Sequence, residues 1–290
     1  MPPTTIRFRS LGLSLASLGL VAACGGISAS PDAGEPTPDA APPKPDAGPV
    51  ADAPHAPVCV QPPTGLTAWW RGENNARDEI GTNQGTVNGG ITFGAAEVGR
   101  GFVFDGSDDY VSVFHQGALY PTGSFAIEAW VTAPHRGTLL EMYECGGVAC
   151  DDSNPSLLML RINDDRKVEL TVRDNNAADG GQLLVSLAGL SDGASHHVVA
   201  VRDLIQNALK VYVDGERDVA VPLNDSGSGP LTASGDDDPL TIGAGIGAST
   251  TAPSDYFQGV IDELSFYLAP LSDEQVAALY AAGPAGKCAQ

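Results

Sequence analysis

The sequence predicts an all-β protein folded as a sandwich of two antiparallel sheets. Between residues 59 and 290, apolar and polar residues alternate along several short runs, which is the pattern of strands that bury one face. Clusters of Gly, Asn, Asp and Pro separate these runs, as turns do in antiparallel sandwiches. Glycine occurs 35 times in 290 residues, a frequency that favours many tight turns over long helices.

Four segments carry the alternation most clearly: residues 124–132, 167–173, 197–201 and 209–213. Successive side chains of a strand point to opposite faces, so each segment should bury every second residue. The last segment ends in Asp214-Gly215, a favoured hairpin turn. The residues expected to face the core are Phe125, Ile127, Ala129 and Val131 in the first segment, and Val168, Leu170 and Val172 in the second.

One helix is predicted, over residues 272–282. Ser272 is a suitable N-cap, and Gln275 stands three residues later, which is the spacing of a capping box. Gly283 follows the last apolar position and should end the helix.

The two ends of this region, together with the runs between them, carry a family resemblance. The opening segment, residues 65–90, contains Ala-Trp-Trp-Arg, and residues 101–113 read GFVFDGSDDYVSV. The closing segment, residues 257–283, contains GVIDELSFY and the predicted helix. In order and spacing these motifs resemble the concanavalin A-like, laminin-G-like jelly-roll family over residues 59–290. The resemblance implies a jelly-roll β-sandwich whose first and last strands lie side by side, with one short C-terminal helix.

Two positions depart from the family pattern. Ser195 stands before His196-His197, where the family usually has tryptophan, so core packing should differ there. Residues 268–270, Leu-Ala-Pro, replace the usual polar run before the helix. Neither departure conflicts with the predicted fold.

The N-terminus predicts export and a lipid anchor. Arg7 and Arg9 precede an apolar run over residues 11–23, which is too short to span a bilayer. The run ends in Val-Ala-Ala-Cys24, which resembles the lipobox of bacterial lipoproteins, whose cysteine is acylated. We therefore expect a signal peptide over residues 1–23, lipid attachment at Cys24, and a location in the bacterial cell envelope, with membrane contact through the anchor only. The alternative is an ordinary secretory signal with a chance cysteine at its cleavage site.

Residues 24–58 predict a disordered stalk. Pro, Asp, Ala and Gly dominate this segment, and the triplet Pro-Asp-Ala recurs in it. Such a composition offers too little apolar surface to offset the entropy of ordering the chain. The stalk would hold one folded domain, residues 59–290, away from the membrane.

Four further cysteines predict two disulfides: Cys59, Cys145, Cys150 and Cys288. An even number in an exported chain favours disulfides over a metal site, and four cysteines allow three pairings. Only Gly-Gly-Val-Ala separates Cys145 from Cys150, which favours a bridge at a hairpin tip. The jelly-roll resemblance, which brings the terminal strands together, implies the bridge Cys59–Cys288. A four-cysteine zinc site is disfavoured because Cys59 has no near neighbour.

The formal net charge of −21 lies mostly in residues 60–290. A surface this negative repels phosphate backbones and anionic lipids, so nucleic acid is not an expected partner. Divalent cations and neutral sugars are better candidates.

The family resemblance also implies a calcium ion at one rim of the sandwich. The candidate ligands are Asp78, Asn83 in the glycine-rich loop that follows it, and Asp262 on the last strand, because calcium prefers carboxylate and amide oxygens. In the alternative interpretation, Asp78 and Asn83 form Asx turns and Asp262 accepts hydrogen bonds from buried amides.

A catalytic site is not predicted. Retaining glucanases need two carboxyl groups about 5 Å apart, but no predicted strand carries a Glu-x-Asp-x-Glu alternation. Asp262 and Glu263 are adjacent, so they should point to opposite faces, one of them into solvent. By the same rule, one of Trp69 and Trp70 should be partly exposed. Tyr143 is a candidate platform for stacking a sugar, or else an ordinary strand aromatic.

The sequence thus favours a membrane-tethered, non-catalytic recognition module that binds a glycan, or a glycosylated or protein partner, with calcium as a candidate cofactor. One alternative is a structural envelope lipoprotein that binds no small ligand. Another is a glycoside hydrolase or lyase of the same fold. An exposed aromatic on a concave face would favour the module, a flat apolar patch the structural lipoprotein, and two facing carboxylates in a groove the enzyme.

Overall fold

The computed structural model describes residues 58–114, 119–143, 157–174, 181–190, 192–225, 227–231, 239–246 and 252–289. The signal peptide, Cys24, the stalk up to residue 57, and the bridge Cys145–Cys150 lie outside these ranges and stay predictions. Within them, no helix is long and apolar enough to cross a membrane.

The described residues form an all-β sandwich with one α-helix, as predicted. The strands are β1 (Leu66–Trp70), β2 (Gly85–Asn88), β3 (Thr92–Ala95), β4 (Arg100–Asp105), β5 (Tyr110–Val113), β6 (Phe125–Thr132), β7 (Gly137–Met142), β8 (Leu158–Ile162), β9 (Lys167–Val172), β10 (Gln182–Gly189), β11 (His196–Asp203), β12 (Ala208–Val213), β13 (Glu216–Pro222), β14 (Leu240–Ile242), β15 (Gly245–Ile246), β16 (Pro253–Ser254) and β17 (Gln258–Tyr267). Helix α1 (Asp273–Ala282) follows, and then a short 3-10 turn (Gly283–Ala285).

Two antiparallel sheets face each other. The eight-stranded sheet has the order β13-β12-β11-β6-β17-β4-β3, with β1 also paired to β17. The seven-stranded sheet has the order β10-β9-β8-β7-β14-β5-β2, and β15 pairs with β16 in a separate hairpin. The predicted pairing of the first and last strands is therefore confirmed.

The core between the sheets is built from the residues that the alternation predicts. All seven inward positions predicted on β6 and β9 are fully buried there. The predicted turn after β12 is also present, because Asp214 and Gly215 both adopt positive φ, 52° and 81°. Positive φ at both central residues belongs to the type I′ turn, whose twist matches that of the flanking strands.

Helix α1 covers the outer face of the eight-stranded sheet. Its capping box is formed as predicted: Ser272 Oγ accepts from the backbone N–H of Gln275 (3.2 Å), and Gln275 Oε1 accepts from that of Ser272 (2.9 Å). A second apolar cluster lies under the helix, so this sheet is buried on both faces. The cluster consists of Ala126, Val199, Val201, Tyr212, Tyr267, Leu271, Val276 and Leu279.

A buried ion cluster lies beside these apolar contacts. Lys287 Nζ lies 3.0 Å from Glu128 Oε1 and 3.2 Å from Glu263 Oε2, and all three side chains are at most 2% exposed. Tyr267 donates its hydroxyl to Glu128 (2.7 Å). Burial opposes the charge of Glu128, yet Lys287 and the hydrogen bonds of His197 and Tyr267 lower its pKa to about 2. Glu128 therefore stays ionised inside the protein.

The chain ends of the domain are joined next to this cluster. Cys59 and Cys288 form the predicted disulfide. The backbone N–H of Val60 donates to Gly286 (2.9 Å), and that of Cys288 donates to Val60 (2.8 Å). The covalent bond and the hydrogen bonds hold Lys287 in register over the sheet.

Two predictions about exposure are wrong. Trp69 and Trp70 are both buried, at 1% and 0% exposure, because Lys287 and Arg71 cover the outward ring of Trp69. Glu263 does not reach solvent either. It adopts positive φ (56°) in a β-bulge of β17, which breaks the alternation and keeps its carboxylate on the same outer face as Asp262.

Replacing Lys287 tests the ion cluster. In Lys287→Met, the carboxylates of Glu128 and Glu263 stay buried without their cation, so we expect a loss of about 3–5 kcal/mol in unfolding free energy. Urea unfolding of the full chain measures this. Lys167→Met, at a half-buried lysine, is the control and should leave the midpoint unchanged. Adding Glu128→Gln to Lys287→Met should recover part of the loss. Equal midpoints for the wild type and Lys287→Met would contradict the assignment.

Candidate functional site

The outer face of the seven-stranded sheet carries a row of side chains across all its strands, here called the polar row because five of its seven members are polar. Side chains in this row alternate with the core residues and point away from them. At about 4.8 Å between strands, the row spans roughly 29 Å. Its cross-strand partners, in order, are Thr86, Ser112, Thr241, Glu141, Met159, Thr171 and Leu183.

The hairpin β15–β16 lies over the middle of this row. The backbone N–H of Ile246 on β15 donates to Glu141 Oε2 (2.5 Å). Asp255, directly after β16, accepts a hydrogen bond from Thr138 Oγ1 (3.1 Å). The hairpin is therefore fixed to the sheet by two acidic side chains, and a cavity opens on each side of it.

The first cavity, here called the aromatic cavity, has a volume of about 330 Å³. Tyr110, Phe114 and Tyr143 contribute its aromatic surface, and Asn88 and Ser112 contribute polar groups. Phe114 is 62% exposed, whereas Tyr143 is only 2% exposed. The predicted platform Tyr143 thus forms part of the cavity wall, and Phe114 presents the accessible ring.

Tyr110 and Phe114 were missed by the sequence predictions, although the chain carries a signal for them. In the run Tyr-Val-Ser-Val-Phe, residues 110–114, Val111 and Val113 are inward and fully buried. The alternation therefore turns Tyr110, Ser112 and Phe114 outward together. Two aromatics four residues apart, on the outward side of an alternating run, are the pattern to look for.

The second cavity, here called the charged cavity, has a volume of about 480 Å³. Arg161 Nε lies 2.6 Å from Glu169 Oε1, and Arg161 and Arg136 both reach Asp255, at 3.8 and 3.7 Å. Burial lowers the pKa of Arg161, but the hydrogen bond and charge of Glu169 raise it overall. Opposite charges therefore compensate one another across this cavity.

The carboxylates in and beside the charged cavity make hydrogen bonds and ion pairs within the fold. Asp255 accepts from Thr138 and faces two guanidinium groups. Glu141 accepts from the hairpin backbone, and Glu169 pairs with Arg161. A glycosidase needs one carboxyl group that donates a proton and a second that attacks or activates water. Instead, Glu141 and Asp255 anchor the hairpin β15–β16, and Glu169, beside the cavity, is paired with Arg161.

The structure brings two of the three predicted calcium ligands together. Asp78 Oδ1 accepts from the backbone N–H of Trp69 (3.0 Å) and of Ile80 (3.1 Å). Its Oδ2 accepts from the backbone N–H and the side-chain amide of Asn83, both at 3.0 Å. Four donors thus already occupy the carboxylate, which suits a loop-fixing role better than a metal ligand. Calcium binding by this pair stays a prediction.

Asp262 lies apart from that pair. Asp78 forms a β-bridge with Trp70 on one edge of β1. The opposite edge of β1 pairs with β17, and β17 carries Asp262. Asp262 Oδ2 accepts from the backbone N–H of Val98 (2.8 Å), while Oδ1 is buried and has no hydrogen-bond partner in the described part of the chain. Burial raises the pKa of Asp262 to about 8; the charge of Glu263 adds to this, and the Val98 hydrogen bond opposes it.

Three acidic side chains do cluster among the described residues. One carboxylate oxygen from each of Asp105, Asp108 and Asp109 lies within 4.8 Å of the others. Asp109 accepts from the backbone N–H groups of Gly90 and Asp105, at 2.5 and 2.9 Å. These hydrogen bonds shape the turn between β4 and β5.

The described residues form two facing antiparallel sheets, the first and last strands pair, and one helix lies on an outer face. These features define a jelly-roll β-sandwich of the concanavalin A-like class. The chain belongs to the Laminin_G_3 family of the concanavalin A-like lectin/glucanases superfamily, whose family model matches residues 105–277. The predicted family resemblance is confirmed. No relative was found among curated protein sequences.

Solved structures share the fold at low sequence identity. Domain 4 of AbnA, an extracellular arabinanase from Geobacillus stearothermophilus, solved with arabinotriose, is 18% identical with a TM-score of 0.52, covering 73% of this chain and 96% of that one. The binding domain of botulinum neurotoxin DC with SialylT is 12% identical with a TM-score of 0.54, and the match covers 75% of this chain and 51% of that one. The same toxin domain with rat synaptotagmin II is 12% identical with a TM-score of 0.53, and the match covers 74% of this chain and 51% of that one.

The chain spans about half the length of the toxin domains. At these identities the similarity establishes the fold.

Asp262→Asn tests the buried carboxyl group. Its folded pKa of about 8 exceeds the unfolded value near 4. The unfolded state therefore releases a proton that the folded state keeps, and stability falls as the pH rises between these values. We expect the wild type to lose on the order of 4 kcal/mol of unfolding free energy from pH 5 to pH 8, because one bound proton differs over about three pH units at about 1.4 kcal/mol each.

Asp262→Asn should lack this part of the pH dependence, because its amide oxygen still accepts from Val98 and carries no charge. Asp165→Asn, at an exposed turn, is the matched control and should keep the wild-type slope. Urea unfolding at several pH values measures all three chains. Parallel profiles for the wild type and Asp262→Asn would rule out a raised pKa.

Proposed function

We propose that this protein is a non-catalytic recognition module that binds a neutral glycan on the open face of the seven-stranded sheet. The observation that carries the proposal is the aromatic cavity, which combines the exposed ring of Phe114 and the half-buried Tyr110 with side-chain amide and hydroxyl groups. Small-ligand sites typically have such a composition and a volume of about 300–1,000 Å³.

The polar groups of the cavity suit sugar hydroxyls. Asn88 Nδ2 donates to Ser112 Oγ (3.1 Å), so the amide and the hydroxyl are held in one orientation. Thr86 and Thr241 flank Ser112 in the polar row. Neutral donors and acceptors fixed beside an aromatic ring are able to contact hydroxyl groups while the ring covers an apolar sugar face.

Charge favours a neutral sugar over an acidic one. The formal net charge is −21, and Arg136 and Arg161, the cationic residues lining the charged cavity, already face Asp255, Asp164 or Glu169. A uronic or sialic acid would meet like charge, with no uncompensated arginine among the described residues that line the charged cavity. Arabinotriose, on the AbnA domain, is a neutral oligosaccharide and supports this choice for the present chain. Sialylated glycans and proteins, as on the toxin domains, are the alternatives.

The hairpin β15–β16 limits the ligand to one side of the sheet, because Thr241 and Glu141 are buried in the middle of the row. The glycan would therefore occupy the aromatic cavity and extend from it away from the hairpin. Calcium remains a candidate cofactor, and binding assays should therefore be run both with calcium and with a chelator.

Alanine substitution at the aromatic cavity tests the glycan site. The full chain is first screened on an array of neutral and acidic glycans, and the Kd of the best ligand is measured by calorimetry. Phe114→Ala and Tyr110→Ala should each weaken binding at least about tenfold, which corresponds to about 1.4 kcal/mol. Because Phe114 is exposed, its variant should unfold at the wild-type midpoint. Ile205→Ala, at a ring-free site that is 87% exposed, is the control.

Three outcomes would contradict the glycan site. Unchanged affinity in both aromatic variants would place the ligand elsewhere. Silence on the array, from a folded chain, would favour a structural envelope lipoprotein. Release of new reducing ends from the bound glycan, abolished in Glu141→Gln, would favour a glycoside hydrolase.

We also propose that Cys24 carries a lipid that tethers the module to the cell envelope. The support is the small-residue run before Cys24 and the stalk composition after it. Each buried methylene contributes about 0.8 kcal/mol, and a single acyl chain gives only reversible membrane binding. Stable anchoring therefore needs more than one acyl chain. Cells fed a clickable fatty acid should label the wild type and not Cys24→Ala. Label that persists in Cys24→Ala would contradict the anchor.

A further inference from the structure

A third cavity lies on the opposite side of the sandwich from the proposed glycan site, on the outer face of the eight-stranded sheet. Its volume is about 170 Å³. It is here called the Asp262 cavity. Polar or aromatic side chains contribute part of its wall: Glu97, Trp130, Thr132, Ser195 and Asp262. Ala95, Ala96 and Val260 contribute the apolar part.

Asp262 provides an unused acceptor at this cavity. The residue is 1% exposed, and its Oδ2 is occupied by the backbone N–H of Val98. Among the described residues, the other oxygen, Oδ1, has no hydrogen-bond partner. Buried polar atoms are nearly always hydrogen-bonded, so an orphan carboxyl oxygen at a cavity indicates a donor from outside the chain.

Glu97 adds a second carboxylate with no partner. It lies in the turn between β3 and β4 and is half-buried. Among the described residues it makes no hydrogen bond or ion pair. The nearby buried cation, Lys287, is already held by Glu128 and Glu263. Two carboxyl groups thus face one cavity whose described surroundings supply no free cation.

Trp130 gives the cavity an aromatic wall in a fixed orientation. Its ring stacks on Tyr280 of helix α1 (5.6 Å between centroids, 29° between planes) and packs against His197 (5.0 Å). Only 6% of the residue is exposed. Among aromatic side chains, tryptophan attracts a cation most strongly through its ring face.

We propose that the Asp262 cavity binds a primary ammonium group, which donates to Asp262 Oδ1 and lies between Glu97 and the ring of Trp130. The hydroxyls of Thr132 and Ser195 supply further acceptors for its three N–H donors. The alanine and valine walls suit the methylene stem that carries such a group. A calcium ion requires six to eight oxygen ligands and gains nothing from apolar walls or an indole.

The ammonium group has two sources of the same chemistry: a small free amine, or a lysine side chain of a partner protein. A lysine would make this cavity a protein-docking point on the face opposite the glycan site. The proposal is independent of glycan binding, because no residue of the Asp262 cavity lines either cavity of the open face.

Nuclear magnetic resonance on the full chain labelled with ¹⁵N tests the proposal. The chain has three tryptophans, and the indole N–H of Trp130 reports on the cavity. Butylammonium is the probe, and butanol is its neutral counterpart. At pH 9, where Asp262 with its pKa of about 8 is mostly ionised, we expect a saturable shift of the Trp130 indole with butylammonium at a millimolar Kd, and no saturation with butanol.

Three variants assign the binding to the cavity. Asp262→Asn keeps the acceptor for Val98 and should raise the Kd at least tenfold. Ser195→Trp introduces the residue that the family usually carries and should block the cavity. Glu274→Gln, which removes one exposed carboxylate on helix α1, is the control of equal charge change and should bind as the wild type does.

The peptide acetyl-Gly-Lys-Gly-amide distinguishes the two sources. Competition between this peptide and butylammonium supports a protein lysine as the ligand, whereas butylammonium binding that the peptide leaves unchanged supports a free amine. No saturable shift, equal Kd values in the wild type and Asp262→Asn, or saturation by calcium alone would each overturn the proposal.

Discussion

The pairing of Glu128 with Lys287 is the contact on which the covered side of the molecule depends. Glu128 lies in the middle of β6, at the centre of a sheet whose two faces are both buried. An ionised carboxylate there is costly unless a cation and hydrogen bonds compensate it. The compensating lysine comes from the C-terminal tail, so the tail must return across the sheet after helix α1. The disulfide Cys59–Cys288 and the helix cap keep that route unchanged.

This arrangement gives the two outer faces different surroundings. Helix and tail cover the eight-stranded sheet, whereas the hairpin β15–β16, held by Glu141 and Asp255, lies over part of the seven-stranded sheet. Contacts within the fold fix several polar side chains of that second face: Asn88 donates to Ser112, and Thr241 donates to Ala244. The ion cluster and the aromatic cavity therefore lie on opposite sides of the sandwich.

The sequence predicted the strands that follow a period of two, such as β6 and β9, and the helix with its Ser272–Gln275 cap, since these signals are local. It did not predict that the second face of β6 is buried, because that depends on a distant helix. The bulge at Glu263 breaks the alternation without any glycine or proline to mark it. The hairpin β15–β16 has strands of two residues, too short for a pattern. The outward aromatics of the aromatic cavity were predictable from the alternation around Ser112.

The join between Cys59 and Cys288 also decides how mechanical tension enters the domain. A pull on the chain at residue 58 reaches Cys59 and divides there. One path continues into β1, and the other crosses the sulfur bridge to the tail and the helix. Both paths end on β17, at the centre of the sheet. A strand at the start of a domain is otherwise the first to be peeled away under load. Here the load is shared between β1 and the tail, so tension at residue 58 would not separate β1 from β17 by itself.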